Sequence, residues 1–264
     1  MLDLRFSEEE LETHRDHITG FIRERADAAG ADGAVLGLSG GIDSTLTAYL
    51  AVEALGADQV HGLVLPARVS SDEHMSDAER VARDLEISSD VIEVEPVVDA
   101  LLAAYPDAEG DPVAVGNARA RTRAVLNYLV ANHENRLVVG TGNRSEAMVG
   151  YFTKYGDGAV DCHPIGNLYK GQVRQLAGHL GVPEDLVSKT PTAELWADQT
   201  DEDELGIDYD TLDFVLALSV DGPLSVAATA RTLSVDPETV TMVHDLAAAS
   251  EHKRHVPPAP PALE

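Results

Sequence analysis

The stretch Gly37-Leu38-Ser39-Gly40-Gly41-Ile42-Asp43-Ser44 limits what this chain can fold into more than any other. An apolar run over residues 34–38 leads into it and a helical pattern over residues 44–55 leaves it, so two adjacent glycines sit where a strand hands over to a helix. At such a junction free N–H groups and the positive end of the helix dipole point outward, which makes an anion site. Glycine lets the backbone close round an anion with no Cβ in the way, and Ser39 and Ser44 add hydroxyl donors. Asp43 does not suit a bare phosphate, a conflict that a bound cation such as Mg2+ resolves. The plainer alternative is an ordinary turn in which Asp43 or Ser44 caps the helix. A Walker A loop is excluded, because no lysine lies near residues 37–50. Gly140-Thr141-Gly142-Asn143-Arg144-Ser145 matches the dinucleotide fingerprint poorly, with Ser in its last place and a fourth strand before it.

Strand and helix signals alternate on either side of this loop. Residues 34–38, 60–65, 91–94 and 137–140 read as strands, and residues 44–55, 72–85 (behind Ser70 as cap), 97–104 and 112–132 as helices. Ser7-Glu8-Glu9-Glu10 is a capping box that opens a helix running to Ala29. The alternation predicts an α/β fold, a doubly wound parallel sheet with helices on both faces, whose ligands sit beyond the carboxyl ends of the strands. Residues 150–167 form a long irregular loop rich in Gly, Asp and aromatic residues, a length that favours a functional loop. After Pro191 the chain is helical, with patterns at 209–220, 223–234 and 237–249, and it ends in a proline-rich tail expected to lack packed structure. The expected organisation is one domain over 1–257, made of the first helix at 7–29, an α/β core at 33–190 and a helical part at 191–250, followed by the tail at 258–264.

Charge narrows the partners. Lys and Arg number 19 against 46 Asp and Glu, a net charge of −27. That field repels nucleic acid phosphates and suits molar salt, where self-repulsion is screened. No window is long and apolar enough for a membrane span, and no basic and apolar leader opens the chain. The single cysteine, Cys162, cannot form an internal disulfide, in keeping with a reducing cytoplasm; with no base or electropositive setting in view, it reads as inert. The lysines are only Lys154, Lys170, Lys189 and Lys253, so each marks a place where a compact ammonium is kept.

Ser39-Gly40-Gly41-Ile42-Asp43-Ser44 resembles the SGGxDS loop of the N-type ATP pyrophosphatases, the PP-loop family, which grips the pyrophosphate of ATP as AMP is transferred. Within that family, Thr141-Gly142-Asn143-Arg144-Ser145-Glu146, Gly150-Tyr151-Phe152-Thr153-Lys154-Tyr155-Gly156-Asp157-Gly158, Asp161, Pro164-Ile165-Gly166-Asn167-Leu168-Tyr169-Lys170, Pro191-Thr192-Ala193-Glu194-Leu195-Trp196 and His252-Lys253-Arg254 look like NAD synthetase. The resemblance runs from about residue 8 to 257. It implies an adenine nucleotide alpha-hydrolase-like fold and amidation of deamido-NAD by ammonia: the nicotinate carboxylate attacks the α-phosphorus of ATP, and ammonia then displaces AMP.

By the same resemblance Gly37, Leu38, Ser39, Gly40, Gly41, Ile42, Asp43 and Ser44, with Thr141, Lys170 and Thr192, hold ATP. Asp43 and Glu146 bind Mg2+, and Lys170 meets the developing negative charge. Arg121, Lys154, Asp161, His252 and Lys253 contact deamido-NAD, in a homodimer. Taken alone, Thr141 and Thr192 are ordinary turn or cap residues, Arg121 a helix-face ion-pair partner and Asp161 a solvated loop acid. The resemblance begins near Met1, which leaves no stretch for a glutamine amidase domain and makes free ammonia, or ammonia handed over by a separate protein, the expected donor. Competing readings are a GMP synthetase core, a tRNA thiolation enzyme, which the acidity and the lone cysteine disfavour, and a nucleotide sensor without turnover.

Overall fold

A computed structural model describes residues 3–192 and 200–260. The chain opens with α1 (Glu8–Ala29), whose predicted capping box is present: Glu10 N donates to Ser7 Oγ and Ser7 N to Glu10 Oε2. Then follow β1 (Ala34–Gly37), α2 (Ile42–Leu55), β2 (Val60–Val64), α3 (Asp72–Asp84), β3 (Ser88–Val91), α4 (Glu95–Ala104), α5 (Pro112–Glu134) and β4 (Leu137–Val138). The strands pair in the order β3-β2-β1-β4, all parallel.

Alternate side chains of these strands feed two cores. Ala34, Leu36 and Leu38, with Val60 and Val64, pack against α1, α2, α3 and α7 (Lys170–His179) on one face. Val35, Leu63, Leu65 and Val138 meet Leu126, Val130 and Ala131 of α5 on the other. Strands covered on both sides read as continuous apolar runs, which is how β1 is written; β2 departs from it at His61, which is buried and bonded to Glu134. Beyond the sheet, α6 (Arg144–Val149) precedes the irregular segment 150–169, and α8 (Glu184–Val187), α9 (Asp201–Leu205), α10 (Tyr209–Val215), α11 (Val226–Leu233) and α12 (Pro237–Ala249) follow α7. Around Tyr209, Leu212, Leu216, Val240 and Val243 they enclose a third core, which also takes in Val149 and Tyr169.

Five expectations need correction. The third strand is Ser88–Val91 rather than 91–94. Its residues are exposed at the sheet edge, where no apolar face is required; the apolar residues after it pair irregularly, Ile92 N donating to Val64 O and Val94 N to Pro66 O. The cap of α3 is Ser71, which accepts from His74 N, while Ser70 Oγ accepts from Ala67 N in the preceding turn. The helix expected at 209–220 turns π-helical over Leu216–Val220, and the one expected at 223–234 starts at Val226 behind Ser225. Regular pairing of β4 stops at Val138, because Val139 bridges to Cys162 from the long loop. Trp196 and residues 193–199, and 261–264 of the proline-rich tail, lie outside the described residues.

Candidate active site

The carboxyl end of β1 runs into the glycine loop, and Gly40 explains why that loop is written with glycine. Its φ of 74° is left-handed, and a Cβ there would stand 2.4 Å from His74 O and 3.2 Å from Ala78 N. The loop therefore lies directly on the backbone of α3. Gly41 caps α2, whose first-turn amides have no acceptor within the helix. Ser44 Oγ donates to Gly41 O, and Ser39 Oγ accepts from Gly41 N at 3.2 Å, so the two hydroxyls brace the turn.

These residues open on a cavity of 530 Å³ lined by Gly37, Leu38, Ser39, Gly41, Ile42, Asp43 and Ser44 of the loop, and also by Thr141, Glu146, Lys170, Thr192 and Lys253. Gly40 is turned away against α3. The structure thus brings the predicted ATP set, Gly40 excepted, to one cavity, although its members come from both ends of the α/β core.

Lys170 is the centre of the site. It begins α7, its side chain is 3% exposed, and Nζ lies 2.5 Å from Asp43 Oδ2 and 3.2 Å from Glu146 Oε1. The Tyr209 ring centroid is 5.0 Å away. Burial works against the ammonium, but the carboxylates of Asp43 and Glu146 outweigh it and hold the charge above the ordinary lysine range. Glu146 goes the other way: burial, and after it the charges of Asp43 and Asp201, push it up to about 7 against the pull of Lys170. Asn143, fully buried, ties the acids together, since its Nδ2 donates to Asp43 Oδ1 at 2.8 Å and its Oδ1 accepts from Glu146 N at 3.0 Å.

The sequence did not single out Asp201. It is 4% exposed, lines the cavity and accepts from Tyr209 OH at 2.9 Å, while its Oδ1 is buried with no hydrogen-bond partner. Burial raises its pKa. Two carboxylates therefore pair with one ammonium and the charge of a third, Asp201, acts on it from nearby, a surplus of negative charge made of oxygen donors, as a hard divalent cation requires. Among the described residues no three such side chains converge as a ready-made metal site. Mg2+ commonly binds through one or two carboxylates completed by substrate phosphates, so the residues present fit it.

Residues 15–257 match the family described as NAD synthase. The chain belongs to that family. It is 66% identical to an NH3-dependent NAD+ synthetase of Halobacterium salinarum over 98% of this chain and 97% of the relative. Among solved structures it resembles an NMN synthetase from Francisella tularensis, with a TM-score of 0.84, 35% identity and 97% and 99% of the two chains covered. It also resembles an NH3-dependent NAD synthetase from Campylobacter jejuni, with a TM-score of 0.80, 31% identity and coverage of 95% and 99%.

The second set expected of an NAD synthase is dispersed. Only Lys253 reaches the cavity, with Nζ donating to Gly150 O at 2.8 Å and Phe152 O at 2.9 Å. Arg121, Lys154 and His252 form a chain near it: Arg121 Nη2 donates to Lys154 O, and Lys154 Nζ to His252 O. Asp161 stands apart beside β4, accepting from Tyr128 OH and Val138 N. Lys189, the lysine without an assigned motif role, also lines the cavity, 2.5 Å from Asp77 on α3. Cys162 is buried, and burial pushes its thiol up to about 11, opposite to what a nucleophile needs.

Proposed function

We propose that this NAD synthase family member amidates the nicotinate carboxyl of deamido-NAD with ammonia, consuming ATP and releasing AMP and pyrophosphate. The observation that carries the reading is Lys170 held between Asp43 and Glu146 in the cavity beside the glycine loop. The nicotinate carboxylate attacks the α-phosphorus and the bond to pyrophosphate breaks. Ammonia then attacks the activated carbonyl carbon, AMP leaves, and one proton is lost from nitrogen. The amides of the Gly41–Ser44 turn receive the departing pyrophosphate, and the Lys170 ammonium, fixed before substrate arrives, faces the charge that develops on the phosphoryl oxygens. Thr141 and Thr192 offer hydroxyls to the nucleotide. Asp43 and Glu146 would hold Mg2+, which when bound neutralises charge on the triphosphate.

Arg121, Lys154, Asp161, His252 and Lys253 bind deamido-NAD in this reading, and a homodimer supplies the enclosure that one chain lacks. On α5, Arg121 stands at the head of a one-faced series with Val125 and Leu129, which are 64% and 63% exposed. On α4, which packs against α5, Val97 and Leu101 are likewise exposed. A second copy of the chain laid on this apolar stripe buries it and brings a surface to Arg121. The enzyme acts in the cytoplasm, where its cysteine stays reduced; no helix among the described residues is long and apolar enough to cross a membrane.

The deciding experiment incubates the chain in high KCl with ATP, Mg2+, deamido-NAD and ammonium, and quantifies AMP and NAD together. One parallel tube replaces ammonium with glutamine. Another replaces deamido-NAD with nicotinate mononucleotide, the competing acceptor raised by the likeness to an NMN synthetase. Equal AMP and NAD with ammonium alone is the expected result. AMP without NAD, or turnover of the mononucleotide only, overturns the acceptor.

A further inference from the structure

Lys170 opens α7 without help from the residue in front of it, because Tyr169 at the cap position brings no short side-chain acceptor of the Ser, Thr, Asp or Asn kind. The first amides of α7 are satisfied from elsewhere. Gly171 N donates to Asp213 Oδ2 at 2.8 Å, and Lys170 N donates to Ser145 Oγ at 3.0 Å. Ser145 Oγ in turn donates to Asp213 Oδ1. Lys170, Ser145 and Asp213 are 2%, 0% and 3% exposed as whole residues, so water replaces none of these bonds.

This arrangement does more than cap a helix. Ser145 precedes Glu146 on α6, and Asp213 comes from α10 in the C-terminal helical part. One carboxylate therefore fixes the start of the helix that carries Lys170 and, through Ser145, the helix that carries Glu146. The 3.2 Å separation of Lys170 Nζ and Glu146 Oε1 depends on those two helices keeping their places. A negative charge at the N-terminus of α7 is also favourable to the helix dipole.

We propose that Asp213 is a positioning residue of the reaction: a buried carboxylate from the C-terminal helices that sets Lys170 against Glu146. The inference rests on the amidation reading, so wild-type turnover is established first, and its absence is a failure of that reading alone. In Asp213→Asn the amide cannot reproduce both bonds. With its oxygen toward Gly171 N, its NH2 group meets Ser145 Oγ and the Ser145 hydroxyl loses the acceptor for its own hydrogen; turned round, two donors face each other at Gly171.

The test measures kcat, KM for ATP and Tm for Asp213→Asn, Ser145→Ala and Asp221→Asn in the full chain. Asp221 is the control, since it holds Arg144 of α6 at 2.5 Å and accepts from the Tyr169 hydroxyl at 2.5 Å, at the far end of that ring, but bonds to no backbone amide of α7 and touches neither Lys170 nor Gly171. Misplacement by about 1 Å costs on the order of 100-fold. The expected result is a loss of about 30- to 100-fold in kcat for Asp213→Asn, a smaller loss for Ser145→Ala, and KM for ATP within about three-fold of wild type. Asp221→Asn is expected to lower Tm and leave kcat within about three-fold. A folded Asp213→Asn with wild-type kcat overturns the proposal, as does an equal loss in Asp221→Asn. Where Asp213→Asn does not fold, Ser145→Ala decides: unchanged kcat overturns it.

Discussion

Lys170 Nζ lies 2.5 Å from Asp43 Oδ2, joining the first residue of α7 to the second residue of α2 across 127 positions of sequence. The pair binds the start of the sheet to the C-terminal half of the molecule at the point where substrate phosphates would enter. It is a buried ion pair, so its value lies in geometry rather than stability.

Replacing Lys170 by Met separates those roles. The change leaves Asp43 and Glu146 buried with no cation, and losing one partner of a buried pair costs about 3–5 kcal/mol. Activity is expected to fall about 100- to 1,000-fold, the loss typical of removing a preorganised charge that meets the transition state. Mg2+ should raise the Tm of Lys170→Met more than that of wild type, because the metal takes over neutralisation. Thermal melts with and without Mg2+, beside an AMP assay, check this; equal Mg2+ shifts in both proteins would count against Asp43 and Glu146 as metal ligands.

The glycine loop and the parallel order around it are legible in the sequence because each rests on local rules. Gly40 has a left-handed φ, β1 is apolar throughout and β2 is apolar but for His61, and Asn143 stands three residues before Glu146 in the spacing of a capping box. The edge strand is not legible, since Ser88, Ser89 and Asp90 carry no apolar signal where one face is bare. Nor are Asp201 and Asp213. In a chain with 46 acids a carboxylate on a helix reads as solvated surface, and it is the packing of α10 against α7, with Tyr209 of α10 bonded to Asp201, that accompanies their burial.

Cys162 provides a simple check on the reading that it takes no part in chemistry. A thiol pushed up to about 11 has a thiolate fraction at pH 7.5 smaller by about 100-fold or more than an ordinary thiol with a pKa of about 8.5. Maleimide or disulfide reagents are expected to label the native protein slowly and the denatured protein fully, with no loss of activity at partial labelling. Rapid modification that abolishes turnover would place the thiol in the site.

The charge of −27 makes salt a structural variable. Between 0.1 and 1 M the screening length falls from about 10 to 3 Å, so repulsion among acids without partners fades. Tm is expected to rise steeply with KCl over that range. Asp107, Glu109, Asp236 and Glu238 are exposed, and neutralising all four as Asn or Gln should flatten the slope. A slope that ignores the substitutions would mean that salt acts elsewhere than on surface repulsion.

Glu146 makes stability depend on pH with a defined sign. Its folded pKa, about 7, stands above the usual 4.5 because burial disfavours the ionised form. Between those values the folded chain holds a proton that the unfolded chain has lost, so the stability contributed by Glu146 declines as pH rises through the window and is level above it. Glu146→Gln carries no such proton. Subtracting its stability from that of wild type cancels the titrations of groups that do not sense Glu146, and the difference is expected to shift against wild type by on the order of 1–3 kcal/mol from pH 4.5 to 7.5. Saturating Mg2+ should abolish the shift, since a bound cation favours the ionised carboxylate. Urea melts of both proteins across that range, with and without Mg2+, give the answer; a difference that stays constant with pH would mean that Glu146 is already ionised beside Lys170 over the whole range.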